Sequence, residues 1–405
     1  MNASLLGTKI AKLRKKLGLT QTELAEKLHV SDKAVSKWEN GGGFPEISIL
    51  PKLSEIFGVS TDYLLKEDSR GITIAGNIIV DILNIIDKYP DKSMIANVLK
   101  ISHAVGGCVP NTLIDIATID PDMYLTAIAK VGKDENGRFL LNQLQKHGID
   151  TSLMKIDSNV VTSSSNVMSE VTTGDRTFFY SSGANDSLCY EDFDIEALDC
   201  KIFHIGYLLL LDSLDAPDKT YGTKMARLLH DISAKGIKTS IDVISEDSGR
   251  APEIISASLP YCDYTIMNEI ESSNISGLSP RNDDGTVNRE NMRKTMEKLI
   301  ELGVREKVIV HCSEAGFLLD RNGEFVTVPS FELPKDYIKG SVGAGDAYAA
   351  ACLYGLYHGY GNRELLEFAS AAAACNLAAE DSISGMKSKK EIEEMQKKYK
   401  RKTNW

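Results

Sequence analysis

Apolar positions recur every three to four residues over the first 65 residues, then give way to short continuous apolar runs from Ile72 onward. The first pattern is helical; the second is that of buried strands set between helices. Leu6, Ile10, Leu13 and Leu17 form one stripe, which Gly18 ends. Thr20, with Glu23 three residues on, fits a capping box for a second helix carrying Leu24, Ala25 and Leu28. Ser31 caps a third helix, Asp32 to Glu39, with Ala34, Val35 and Trp38 on its buried side. Two more helices are predicted around Ile47–Phe57 and Thr61–Leu65. The polar stretch 67–71 is read as a linker between residues 1–66 and a body at 72–386, and 387–405 as a charged tail whose helix frays.

In the body, strands are predicted at Ile72–Ile79, Leu125–Lys130, Ile202–Ile205, Thr239–Val243, Tyr264–Met267 and Val308–His311. Helices are predicted around Gly137–His147, Thr220–Lys235, Glu290–Leu302 and Asn362–Ala379. Such alternation gives an α/β fold with a parallel sheet, and ligands then lie beyond the carboxyl ends of the strands. Two stretches break the pattern, Asp81–Ser102 and Val160–Tyr180. Their Val, Thr, Ser and Ile predict a small antiparallel sheet covering the site, with a hairpin turn at Thr173–Thr177.

Charge separates the two parts. The net charge is −11, but residues 1–66 carry +3 and the remainder −14, so only the basic head is suited to meet nucleic acid. Seven cysteines are scattered without a Cys-x-x-Cys pair, which argues for a reducing compartment and against a disulfide framework or a zinc site. Neither a signal peptide nor an apolar run long enough to cross a membrane is read, so a cytoplasmic protein is the expectation.

The strongest chemical signal is Gly340-Ser341-Val342-Gly343-Ala344-Gly345-Asp346, running into a small-residue helix. Glycines let a backbone approach an anion, and first-turn N–H groups with the helix dipole favour negative charge there. Asp346 at the join is placed to take a proton from an attacking hydroxyl. Phosphoryl transfer from a nucleotide to an alcohol follows as the hypothesis. A glycine turn before a helix is also an ordinary connection with an acidic cap, so the rest of the chain must decide. No P-loop is present, and Tyr348 stands where a dinucleotide fingerprint has its third glycine.

Residues 5–66 resemble the Cro/repressor-type helix-turn-helix domain, through Leu19-Thr20-Gln21-x-Glu23-Leu24-Ala25 and Val30-Ser31-x-x-Ala34-Val35-Ser36-Lys37-Trp38-Glu39. The resemblance implies double-stranded DNA as partner. Gln21 would touch a phosphate, and Asp32, Lys33, Ser36 and Lys37 would face the major groove of a two-fold site. A protein-interaction or dimerisation module is the other reading, since fold alone does not set function.

Residues 72–386 resemble the ribokinase-like (PfkB-type) sugar kinases. The motifs, in order, are Gly76-Asn77-Ile78-Ile79-Val80-Asp81, Gly106-Gly107-Cys108-Val109-Pro110-Asn111, Lys130 to Gly137, His147 to Ser152, Gly183-Ala184-Asn185, Asn268-Glu269-Ile270-Glu271 and Gly343-Ala344-Gly345-Asp346. The resemblance implies a ribokinase-like sandwich with a small β lid, and ATP-dependent phosphorylation of a sugar, polyol or nucleoside hydroxyl. It makes Asp346 the base and Gly343, Ala344 and Gly345 the anion hole. Asp81, at a strand end, with Gly107 and Asn111, would hold the sugar. Asn268 and Glu271 would hold the magnesium and phosphate region through water, with no direct protein ligand to the metal assigned. Ser313, Gly316 and Ser370 would lie on the nucleotide side. The family's Asp-Thr lead-in is Gly340-Ser341 here, which leaves a monovalent cation unsupported. Cys108 replaces the sugar-contacting lysine of ribokinase, which weakens ribose as the substrate. Lid pairing in the family implies a homodimer. The competing reading is a transcription regulator whose kinase-like body senses a sugar or nucleotide.

Overall fold

The computed structural model describes residues 3–59, 61–65, 70–173, 175–245 and 248–403. Residues 67–69 of the predicted linker and Gly174 of the predicted hairpin turn lie outside the described residues. The chain divides into two compact units, one running to Arg70 and also taking in Asp122–Tyr124, the other made of Gly71–Pro121 and the chain from Leu125 onward.

The first unit is all helix: α1 (Ala3–Lys16), α2 (Gln21–Leu28), α3 (Asp32–Glu39), α4 (Leu50–Phe57) and α5 (Thr61–Leu65). Leu6, Ile10, Leu13, Leu24, Leu28, Val35, Trp38, Leu53 and Leu64 make its core. The capping box at the start of α2 is present in both directions: Glu23 N donates to Thr20 Oγ1 and Thr20 N to Glu23 Oε2. Ser31 Oγ likewise accepts from Ala34 N. Two expectations are corrected. Leu17 lies past the end of α1 and is 49% exposed, because the stripe completes its buried turn at Leu13. The helix predicted from Ile47 opens as a 3₁₀ turn, Ile47–Ile49, before α4, whose first turn holds Pro51.

In the second unit, eight strands form one sheet in the order Phe325–Pro329, Ala315–Asp320, Lys307–His311, Tyr264–Asn268, Lys238–Val243, Cys200–Leu208, Gly71–Gly76, Leu125–Ile128. The six from Lys307–His311 to Leu125–Ile128 are parallel, and the first two are antiparallel additions at one edge. The core between sheet and helices includes Phe203, Leu229, Ile241, Met296, Val308 and Phe317. Four further strands form the lid, in the order Val98–Gly106, Ile79–Ile86, Ser164–Glu170, Arg176–Ser181.

The lid differs from its prediction in two ways. Its central pair, Ile79–Ile86 with Ser164–Glu170, is parallel, so the sheet is mixed. The first body strand stops at Gly76 and does not reach Ile79; the chain turns at Asn77-Ile78 and re-enters as a lid strand. Asp81 therefore sits within a lid strand, opposite Ala104 and Ser165, and not at the end of a main-sheet strand.

The tail is the third departure. Lys389–Lys398 is a helix with Ile392 and Met395 buried, and Ser388 and Glu391 form its capping box. Beyond it Arg401 bridges to Phe331, so the segment is docked. Lysine-rich composition hid the two apolar residues that hold it down. Among the described residues no helix is long and apolar enough to cross a membrane.

Candidate active site

The helix Ala344–His358 begins at Gly343, which has φ 75 and no side-chain cap. A Cβ at Gly343 would stand 2.5 Å from the Cβ of Ser382, so both space and backbone conformation require glycine there. First-turn N–H groups such as those of Gly345 and Asp346 have no intrahelical acceptor and suit an anion.

Asp346 is buried on that turn, and both its oxygens are held. Tyr207 Oη donates to Oδ1 at 2.5 Å, and Asn111 Nδ2 donates to Oδ2 at 2.9 Å. Burial pushes the Asp346 carboxyl above its usual range, and these two donors pull it back. Asn111 accepts in turn from Ser382 Oγ at 3.0 Å. Its amide, expected at a sugar hydroxyl, thus orients the carboxylate, leaving one N–H and one lone pair for a ligand.

A cavity of about 290 Å³ lies in front of Asp346, with Tyr207, Asp242, Ser245, Asn268, Glu271, His311, Gly343 and Gly345 among its lining residues. Asn268 caps the helix Glu269–Ser276, and Glu271 returns the capping box to Asn268 N at 2.8 Å. Asn268 Nδ2 and Ser245 Oγ both donate to Glu271 Oε1, at 2.7 and 2.8 Å. Burial raises Glu271 to about 7 against these donors. Burial, then the neighbouring Glu271 and Asp346, raise Asp242 well above the carboxylate range. A wall of crowded, desolvated carboxyls is the chemistry that a hard divalent cation relieves.

On the acceptor side a cavity of about 360 Å³ lies under the lid, lined by Asp81, Leu83, Lys100, Ser102, Arg176 and Phe178, with Val342 and Ser382 opposite. Burial lifts the Asp81 carboxyl to about 6. Gly106 and Gly107 are both sterically fixed. A Cβ on Gly106 would come within 2.5 Å of Asp81 Oδ2, and one on Gly107, at φ 90, within 2.4 Å of Asn77 Oδ1. Ser382 lines this cavity and bonds Asn111, which bonds Asp346, so a continuous polar path joins the two cavities.

On the other side a cavity of about 540 Å³ shares His311 and Gly345 with the central one and is lined by Ser313, Gly316, Tyr348, Ser370 and Lys402. Gly316 makes room for Tyr348, since a Cβ there would lie 2.2 Å from Tyr348 Oη. The predicted residues thus fall around three connected spaces: Asp81 in one, Asn268, Glu271 and Asp346 in the next, Ser313, Gly316 and Ser370 in the third.

The profile of the pfkB family carbohydrate kinases matches residues 75–389. The chain belongs to that family. A separate helix-turn-helix profile matches residues 10–64. The kinase domain is 27% identical over 304 residues to a 5-dehydro-2-deoxygluconokinase of Clostridium perfringens, covering 73% of this chain and 85% of the relative. The head is 45% identical over 67 residues to the HTH-type transcriptional activator BcrR of Enterococcus faecalis, which is 16% of this chain and 32% of that one. The structure of Arabidopsis thaliana ribokinase complexed with ribose and ATP superposes with a TM-score of 0.67 at 20% identity, covering 81% of this chain and 99% of that one. That likeness establishes the ribokinase fold. Members of the family are phosphotransferases with an alcohol acceptor.

The pfkB frame also shows what the sequence reading missed. Tyr207 and Asp242 stand near the carboxyl ends of the parallel strands Cys200–Leu208 and Lys238–Val243, where ligands of such sheets lie. That position was the available signal. Lys402 had none, being beyond the matched family region. Its N–H donates to Ser330 O at 2.8 Å and its Nζ to Ser313 O at 3.0 Å. Arg401 donates to Pro329 O at 2.7 Å and to Ser370 Oγ at 3.2 Å. The tail therefore closes one wall of the large cavity and occupies the Ser370 hydroxyl.

In the head, Lys33 and Lys37 of α3 are exposed and Ser36 half-buried. Gln21 Nε2 donates to Glu39 Oε2 at 2.7 Å, so one of its two amide hydrogens is committed inside the head.

Proposed function

We propose that the chain transfers the γ-phosphoryl group of ATP to a hydroxyl of a sugar or related polyol or nucleoside, with Asp346 as general base. The observation that carries this is the Asp346 carboxylate, held by Tyr207 and Asn111 on an open helix turn between the lid cavity and the large cavity. The nucleotide base sits between Ser313, Gly316 and Ser370, and the γ-phosphate reaches the amides of Gly343 and Gly345, while the Ala344 N–H of the expected anion hole is given to Ser341 O at 3.3 Å. The acceptor is held by Asp81 and by the remaining capacity of Asn111, with Gly107 allowing close approach. Asp346 removes the hydroxyl proton as the oxygen attacks phosphorus in line, and ADP leaves. Asn268 and Glu271, with Asp242 nearby, would hold magnesium, and the ion would supply neutralisation of phosphoryl charge. Nothing in the lead-in Gly340-Ser341 supplies a carboxylate for a monovalent cation.

An ATP-consumption screen over neutral sugars, sugar acids, sugar phosphates and nucleosides tests the reading. Both neutral and anionic sugars belong in it, because Lys100 and Arg176 line the lid cavity together with Asp81, Glu380 and Asp381. No acceptor-dependent turnover across the panel would favour the second reading, a regulator whose body only senses ligand. The intact Asp346–Tyr207–Asn111 cluster favours catalysis, since sensing needs no base.

Two kinetic results are expected. Ionised Asp81 can accept from two sugar hydroxyls, whereas protonation turns one of its oxygens into a donor and removes the charge, so the KM for sugar rises as pH falls through about 6. Asp81→Asn flattens that limb and raises KM at every pH; an unchanged limb in this variant removes Asp81 from the sugar site. Lys402→Ala raises the KM for ATP by roughly fivefold, about 1 kcal/mol, with kcat unchanged. Equal ATP affinity in the two proteins would show that the tail only walls the cavity.

The head binds double-stranded DNA through Lys33, Ser36 and Lys37, with Gln21 toward a phosphate, as a homodimer on a two-fold site. The outer lid face supports pairing of two chains: Leu99, Ile101 and Phe179 are 58%, 59% and 51% exposed. Light scattering measures the dimer, and a gel-shift selection at low salt showing no sequence preference would refute the DNA reading.

A further inference from the structure

Behind the central cavity lies a cluster of three buried side chains that the phosphoryl-transfer reading does not use together. His204 and Asp242 belong to neighbouring parallel strands, paired as Ser240↔His204 and Ile241↔Ile205, so His204, Gly206, Ser240 and Asp242 share one sheet face. Cys108 opens the helix Cys108–Ile119 that covers this face. The Cys108 Sγ, a ring nitrogen of His204 and a carboxylate oxygen of Asp242 all lie within 4.8 Å of one another. Gly206 leaves the space between them. A Cβ there would sit 2.8 Å from Cys108 Sγ and 3.1 Å from Asp242 Cβ.

The ligand atoms are underused. His204 Nδ1 lies 3.0 Å from Ser240 Oγ, while its fully buried Nε2 has no hydrogen-bond partner among the described residues. Such an orphan normally costs free energy, and a nitrogen of the same ring lies beside two further donor atoms. Among the described residues the Cys108 thiol makes one long contact, 3.9 Å to Thr112 Oγ1. Among its hydrogen bonds, Asp242 Oδ1 accepts from Val243 N. Asp242 also lines the central cavity, which gives an ion a way in and leaves a coordination position open toward it.

We propose that Cys108, His204 and Asp242 form a binding site for a borderline-soft divalent cation of the zinc type. One thiolate, one imidazole and one carboxylate with an open fourth position is a donor set such ions take, and magnesium does not. With the thiol and carboxyl protons released, a doubly charged ion leaves the buried site neutral. Bonds of ~2.0–2.3 Å bring tetrahedral ligand atoms to roughly 3.5 Å apart, so side-chain rotation must close the cluster by about 1 Å. Support for the ring is in place, because Ser240 Oγ lies 3.0 Å from His204 Nδ1 and fixes the imidazole's orientation. Occupancy holds Asp242 away from the phosphate cavity and lowers turnover; that consequence alone rests on the kinase reading.

The test uses the full chain carrying Cys189→Ser and Cys312→Ser, which removes the two half-exposed thiols. Titration with Co²⁺ in excess Mg²⁺ is expected to give one equivalent of tetrahedral, thiolate-ligated cobalt by visible and near-ultraviolet absorption. Adding Cys108→Ala abolishes the thiolate band, and His204→Leu weakens binding by more than ~10–100-fold, the loss that even outer-sphere changes cause. An octahedral spectrum without a thiolate band overturns the site, as does a band that survives Cys108→Ala. The first result needs no cluster variant, so a misfolded one does not protect the proposal. Sugar kinase activity, assayed with and without Zn²⁺ and restored by a chelator, reads the consequence separately.

Discussion

Asp346→Asn is expected to lower turnover by about 10²–10⁴-fold, the usual contribution of a general base, with ATP affinity retained. The substitution keeps the shape of the side chain and removes the basic oxygen. Its cost to the fold is local. Asp346 is an acceptor on both oxygens, from Tyr207 Oη and Asn111 Nδ2. An asparagine amide turns a donor toward one of them and leaves a buried clash of about 1–3 kcal/mol. Thermal unfolding therefore belongs beside the kinetics, and ATP titration separates lost chemistry from lost structure. Tyr207→Phe supplies the complementary reading. The Tyr207 hydroxyl is the largest factor pulling the buried Asp346 carboxyl down, so removing it raises that carboxyl further. A base works ionised, so the acid limb of kcat moves to higher pH while the pH-independent rate changes less than in Asp346→Asn. Undiminished turnover in Asp346→Asn would falsify the assignment.

The glycine turn at 340–346 was legible because its chemistry is local: φ > 0, a helix start and a carboxylate lie within seven residues. The Asn268–Glu271 pair was legible only through the family resemblance, since the pair alone reads as a surface turn; in the fold the two residues form a capping box. Tyr207, Asp242 and Ser382 were not, because their roles come from strands and loops that the sequence separates widely. Tyr207 lies 139 positions from the carboxylate it holds, and Ser382 lies 271 from Asn111. The strand boundary at Gly76 was missed because Ile78, Ile79 and Val80 continue the apolar run that marks a buried strand, and apolar runs carry no information about which sheet they join. The lid's parallel central pair is a fact of topology with no residue signature. Lys402 shows the opposite failure, in which charged composition suggested solvent while backbone hydrogen bonds and the Arg401 side chain dock the segment.

Glu39→Ala is expected to unfold most of the head while the second unit, built on its own core, remains folded. One carboxylate ties three helices together. Arg14 of α1 donates to Glu39 of α3 through Nε at 2.6 Å and Nη2 at 2.9 Å, and Gln21 of α2 donates to it at 2.7 Å. The Arg14 and Glu39 side chains are 10% and 6% exposed. Removing one partner of a buried pair costs about 3–5 kcal/mol, because the other charge stays desolvated. A unit of this size has roughly 3–10 kcal/mol in total, so the loss is comparable to the whole. Arg14 keeps its bond to Leu19 O at 2.6 Å, which limits its escape to water. The expected readings are lost helical circular dichroism, rapid proteolysis within residues 3–65, and loss of any DNA shift, with acceptor-dependent ATP consumption unchanged. The double variant Arg14→Met, Glu39→Leu decides the cause. With no charge left unpaired, it recovers much of the stability, whereas a network valued for its hydrogen bonds alone would leave the double variant worse than either single one. A shift in head stability below ~0.5 kcal/mol in Glu39→Ala, the scale of an ordinary surface change, would show that the apolar core holds the three helices without this carboxylate.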